Sequence, residues 1–192
     1  TPTPDQISAF KSIKKDLSLI KPMNRVLCGD VGFGKTEVAM KAAFVSVSSN
    51  KQVIVITPST ILCDQHYDSF LKRYINFGVT VKKLNRFVSA KDKNNIINEF
   101  NLGNIDILIS THIIFNNNIN FMNVGLLIID EEHKFGIKQK NFIKDKQENI
   151  HILYLSATPI PRTMNMVFSG LKDFSFLQTA PSNRLSIKSF LK

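Results

Sequence analysis

Residues Gly29-Asp30-Val31-Gly32-Phe33-Gly34-Lys35-Thr36 fit the pattern G-x-x-x-x-G-K-[ST], and the chain on either side suits it. The apolar stretch Val26-Leu27-Cys28 reads as a buried strand running into the glycines, and Glu37 to Ala43 reads as a helix leaving them. A strand that ends in a glycine loop and restarts as a helix points several unpaired backbone N–H groups at one spot, with the positive end of the helix dipole behind them. Such a spot cradles a phosphate. Gly29, Asp30, Val31, Gly32, Phe33 and Gly34, with Glu37 just beyond, are the candidate nucleotide contacts. Lys35 is expected to reach the β- and γ-phosphates of a nucleoside triphosphate, and the Thr36 hydroxyl to hold Mg2+.

The rest of the chain repeats the strand–helix alternation that this unit demands. Strands are expected over Arg25–Cys28, Gln52–Thr57, Val79–Leu84, Ile105–Ser110, Leu126–Asp130 and Ile152–Ser156. Helical spacing of apolar residues runs over Pro4–Ile20, Lys35–Ser48, Ile61–Tyr74, Ala90–Phe100, Lys138–Lys144 and Pro161–Phe168. Near-continuous runs such as Val53-Ile54-Val55-Ile56 must be covered on both faces, which predicts an α/β fold with a mostly parallel central sheet between two helical layers. Pro181, Ser182 and Asn183 signal a turn out of the domain, so residues 1–178 read as one lobe and 179–192 as a linker.

A second chemical cluster follows Leu126-Leu127-Ile128-Ile129. Asp130 at the end of this buried strand is expected to hold Mg2+ beside the glycine loop, as the acid of a Walker B element does, and Glu131 to orient and deprotonate the attacking water. Glu132 has no assigned role. His133 is a candidate sensor of the γ-phosphate or a link from the nucleotide to the next motif. No ligand spacing links His66, His112 and His133, and neither cysteine joins them, so a zinc site is not expected. The formal net charge of +10 suits a polyanionic partner. Abundant Lys, Asn and Ile also follow from AT-rich coding, however, and charge alone does not decide.

Asp130-Glu131-Glu132-His133 resembles the D-E-x-H box of superfamily 2 helicases and translocases, and other motifs of that family occur in its order. The resemblance implies a RecA-like P-loop lobe that binds ATP and Mg2+. It makes Gln6 the adenine-reading glutamine upstream of the loop. Thr57-Pro58-Ser59-Thr60-Ile61-Leu62 with Gln65-His66 is similar to motif Ia, and Ser110-Thr111-His112 to the threonine element; both imply contacts to a DNA backbone from Thr60, Gln65, His66, Thr111 and His112. Ser156-Ala157-Thr158 resembles motif III, which implies coupling of the nucleotide site to DNA movement. With Phe33, Glu37, Asn85-Arg86-Phe87 and Pro159-Ile160-Pro161-Arg162-Thr163, the pattern resembles the bacterial transcription-repair coupling factors more than the related RecG branch-migration helicases.

The coupling-factor resemblance implies a double-stranded DNA translocase that displaces stalled RNA polymerase and recruits excision-repair proteins, with the contacts to both lying outside this chain. It also implies a second RecA-like lobe supplying arginine fingers; Arg162 and Arg184 match none, so the chain alone is expected to bind nucleotide and turn it over slowly. A nucleotide switch without translocation and a small-molecule P-loop kinase are the competing classes. The motif Ia and motif III matches weigh against the first, the lack of substrate-binding arginines against the second. The reduced-looking cysteines and the absence of a long apolar run point to a cytoplasmic setting.

Overall fold

The computed structural model describes residues 2–158 and 172–181. Thr3 opens the first helix, α1 (Pro4–Leu17), with a reciprocal cap: its side chain accepts from the Gln6 N–H while the Gln6 side chain accepts from its own N–H. The expected helix end at Ile20 is three residues too far. The Ser18 hydroxyl takes the Lys15 carbonyl at 2.6 Å, Pro22 lies just beyond, and Ile20 is left fully exposed.

Seven strands then alternate with four more helices: β1 (Asn24–Gly29), α2 (Lys35–Ser48), β2 (Gln52–Ile56), α3 (Thr60–Tyr74), β3 (Val81–Leu84), α4 (Ala90–Asn101), β4 (Ile107–Ser110), β5 (Val124–Asp130), α5 (Ile137–Lys146), β6 (His151–Ser156) and β7 (Asp173–Leu177). The sheet order is β3-β4-β2-β5-β6-β1-β7, and every strand pairing among the described residues is parallel. Alternate residues of each strand enter opposite layers, as the pleat requires. Val53, Val55, Leu126 and Ile128 pack beneath α1, α2 and α3; Ile54, Ile56, Leu127 and Ile129 pack beneath α4 and α5. The expected α/β architecture with both faces covered is what forms.

β7 is a strand the apolar-run criterion does not find. Asp173-Phe174-Ser175-Phe176-Leu177 alternates instead of running apolar, because it is an edge strand paired on one side with β1. Arg25 stitches it in place, bonding Asp16 of α1 at 2.7 Å and the Phe174 carbonyl at 3.2 Å. Gln178 and Thr179 then donate their N–H groups to Asp5 at the start of α1. The expected helix Pro161–Phe168, the motif around Arg162, Arg184 and most of the expected linker lie outside the described residues.

The parallel arrangement puts the carboxyl ends of β1, β5 and β6 side by side, since β6 pairs with both of the others. Ligands of open parallel sheets bind beyond such ends.

Candidate functional site

At the end of β1, Gly29 is needed for space: a Cβ there would sit 2.9 Å from Leu177 Cβ. Gly34 is needed for conformation as well, with φ at +84° and a Cβ position only 2.2 Å from Gln6 Nε2. Gln6 Nε2 donates to the Phe33 carbonyl at 2.9 Å, and its oxygen accepts from Thr3. Both ends of the Gln6 amide are thus engaged, and the side chain braces the loop against α1. Lys35, at the first residue of α2, donates from Nζ to the Gly29 and Asp30 carbonyls at 2.6 and 3.1 Å. Burial pulls its pKa below the usual lysine value, and the nearby Glu131 and Asp130 carboxylates oppose that shift.

Asp130 ends β5, and the backbone turns sharply after it. Glu131 has φ +52° and ψ +56°, a left-handed conformation that costs about 1–3 kcal/mol for a non-glycine residue and is held here by its surroundings. Its N–H donates to the Leu155 carbonyl at 2.9 Å, while its Oε1 accepts from the Ala157 N–H at 3.2 Å. His133 Nδ1 lies 3.3 Å from the other carboxylate oxygen. Glu132 turns the opposite way and pairs with Lys172 at 2.8 Å, whose ammonium sits 3.6 Å from the centre of the Tyr154 ring. Its partner is 40 residues away, so no local pattern marks the pair.

Lys35, Thr36, Asp130 and Glu131 line one cleft of about 500 Å3, with Gly32, Gly34 and Ala157 on its walls. The donor set fits a magnesium nucleotide: backbone N–H groups and one ammonium for phosphate, and one hydroxyl with one carboxylate for a hard cation whose other ligands are phosphate and water. Ser156 and Thr158 bond each other through their hydroxyls at 2.7 Å and line a neighbouring pocket with Glu132, His133 and Lys172. A roomier apolar cavity of about 660 Å3, near Phe10, Met40 and Phe44, holds none of these phosphate-binding groups.

The expected DNA residues divide between two places. Thr60, Thr111 and His112 line a second cleft of about 650 Å3 together with Arg86 and Phe87. Gln65 and His66 face the nucleotide cleft instead, and His66 Nε2 lies 2.9 Å from Asp130 Oδ2. Five or six residues along a helix is about one and a half turns, which carries the later pair to the other side of α3. Glu37 likewise faces α3, where it is ion-paired with Arg73.

A sequence model of the DEAD/DEAH box helicase family matches residues 3–167. The chain belongs to that family. Membership places this helicase lobe among ATP-driven, helicase-type enzymes. The chain is 48% identical over 190 residues to the transcription-repair-coupling factor of Escherichia coli and 50% identical over 190 residues to that of Haemophilus influenzae. Each match covers 99% of this chain but 17% of the relative, so the chain spans a small part of those proteins. A solved structure of RecG bound to a three-way DNA junction is similar with a TM-score of 0.85 and 34% identity, covering 97% of this chain and 25% of RecG. The helicase domain of Pyrococcus furiosus Hef, at 18% identity and a TM-score of 0.65, shares the fold. Among the described residues no helix is long and apolar enough to cross a membrane.

Proposed function

We propose that this helicase lobe is the ATP-binding half of a double-stranded DNA translocase motor that displaces stalled RNA polymerase in transcription-coupled repair. The observation that carries the reading is the meeting of Lys35, Thr36, Asp130 and Glu131 in one cleft, with Thr60, Thr111 and His112 in a second cleft on the other side of α3. The similarity to transcription-repair-coupling factors, at 48–50% identity, supports the choice of motor.

In this reading the loop N–H groups and Lys35 bind the phosphates, and Thr36 and Asp130 hold Mg2+, which neutralises charge on the transferring phosphoryl group when bound. Glu131, aimed by its left-handed backbone and by Ala157, orients the attacking water and takes its proton. His133 steadies Glu131 and senses the γ-phosphate, while Ser156, Ala157 and Thr158 carry the change toward the DNA side. Thr60, Thr111 and His112 grip backbone phosphates without reading bases, which suits travel along any sequence. A second RecA-like lobe completes the ATPase, and polymerase and excision-repair contacts lie outside this chain.

The likeness to RecG favours one alternative, a branch-migration motor. A longer protein carrying this chain tests both. Release of a stalled transcription complex that requires ATP and is lost in Lys35→Ala supports the proposal. Failure there, with efficient ATP-driven remodelling of three-way junctions, would transfer the lobe to the RecG class.

A further inference from the structure

Helix α3 carries His66 against the acidic end of β5, where Nε2 lies 2.9 Å from Asp130 Oδ2 and the side chain is 6% exposed. A carboxylate that receives a cation can only accept, so this bond puts the proton on Nε2. Nδ1, the other ring nitrogen, is buried with no hydrogen-bond partner. Packing alone does not account for a histidine here, because an apolar side chain would fill the space without orphaning a nitrogen.

The imidazole has little freedom. Its ring meets the buried Phe70 edge-on, with centroids 6.3 Å apart. One turn later α3 is fastened to the phosphate-loop helix twice, by the Arg73–Glu37 ion pair and by the Tyr74 hydroxyl on the Met40 carbonyl. His66 is a donor held on a rigid support.

We propose that His66 is a positioning residue for Asp130: it occupies Oδ2 and fixes the carboxylate so that Oδ1 is the oxygen offered to the cation that accompanies the nucleotide. The inference rests on the nucleotide-site reading above and deepens it, since it makes α3 a determinant of metal affinity. Outer partners of metal-holding groups commonly act this way, by holding the ligand's orientation.

The test uses the 192-residue chain and a fluorescent methylanthraniloyl-ATP, titrated in EDTA and then against Mg2+, with bound Mn2+ followed by electron paramagnetic resonance. His66→Phe keeps the ring and removes the donor. Its EDTA affinity should stay within about twofold of wild type, while the Mg2+ needed for half of the metal-dependent gain rises about tenfold and the Mn2+ spectrum changes. His66→Gln restores an N–H donor and should return the Mg2+ requirement to within about threefold of wild type. A His66→Phe chain with wild-type Mg2+ dependence and Mn2+ spectrum overturns the proposal. So does a folded His66→Gln chain that fails as badly as His66→Phe, since the residue would then serve packing alone. If His66→Phe does not fold, Gln is compared with the shorter Asn: rescue by Gln only supports the proposal, and equal metal dependence overturns it. Wild-type chain that binds no nucleotide sinks the nucleotide-site reading as well; normal wild-type binding beside an unmoved variant sinks only this inference.

Discussion

Glu131 Oε1 accepts the backbone N–H of Ala157 at 3.2 Å, which joins the acidic box after β5 to the Ser-Ala-Thr segment after β6. Both segments leave adjacent parallel strands, and Glu131 also reaches back through its own N–H to Leu155. The residue proposed to activate water is thus bonded to the segment proposed to relay the outcome. Movement of Glu131 Oε1 is thereby coupled to a backbone donor on the neighbouring strand end.

Glu131→Gln separates these two roles. The amide oxygen still accepts from Ala157, so the cleft should keep its shape and its affinity for a fluorescent ATP analogue. It cannot take a proton from water. In a longer protein that hydrolyses ATP, the rate is expected to fall by about 100-fold or more. Hydrolysis at the wild-type rate would assign water activation to another group.

Lys35→Ala is expected to act in the opposite sense. Nζ bonds two loop carbonyls in the structure, and phosphate oxygens are stronger acceptors for the same ammonium. Losing a charge-assisted contact of about 1.5–3 kcal/mol lowers nucleotide affinity by roughly 10- to 100-fold. The fold should be kept, because Val38, Ala39 and Ala42 hold α2 to the sheet independently of Lys35. Equal affinities by fluorescence titration would remove Lys35 from the phosphate site.

What the sequence makes legible here is whatever has a short period. Val53 to Ile56 reads as a doubly covered strand because each residue is fully buried, and the Gly32–Gly34–Lys35 spacing reads as a phosphate loop because its geometry is local. β7 escapes because Ser175, buried and bonded to Arg25, interrupts its apolar run. The order of the strands escapes because pairing such as Arg25 with Asp173 links distant positions through backbone hydrogen bonds that leave no local trace in the side chains. Proximity in sequence also misleads: Thr60 and His66 belong to one motif, yet helical rotation gives them to different clefts. The Gln6 brace on Phe33 spans 27 residues and leaves no periodic trace.

That brace makes Gly34→Ala informative. The added methyl group must adopt φ +84° and displace a Gln6 amide already fixed by Thr3 and Phe33. The left-handed backbone alone costs about 1–2 kcal/mol. Nucleotide binding should be lost, and thermal melting should shift downward by about 2–8 °C for a chain of this size. Adding Gln6→Ala should relieve the clash but not the backbone cost, giving partial recovery of the melting temperature and none of the binding. Full recovery of both would mean that the glycine is kept only to make room for Gln6.

His151 gives the fold a dependence on pH that has nothing to do with nucleotide. Its Nδ1 accepts the Met23 N–H at 2.9 Å, at the start of the β1–β6 pairing, and this needs the ring nitrogen unprotonated. Burial holds its pKa below the ordinary value near 6.5, with Asp16 pulling weakly the other way. The unfolded chain therefore binds a proton at a higher pH than the folded one, and stability rises with pH across that interval. The contribution is complete above about pH 6.5 and is lost as pH falls through the lowered folded value. Urea unfolding at about pH 5 and about pH 8 should show the wild-type chain losing more stability at the acid end than His151→Gln, whose amide accepts the same N–H without titrating. Identical pH dependence in the two chains would mean that Met23 and His151 separate before the ring charges.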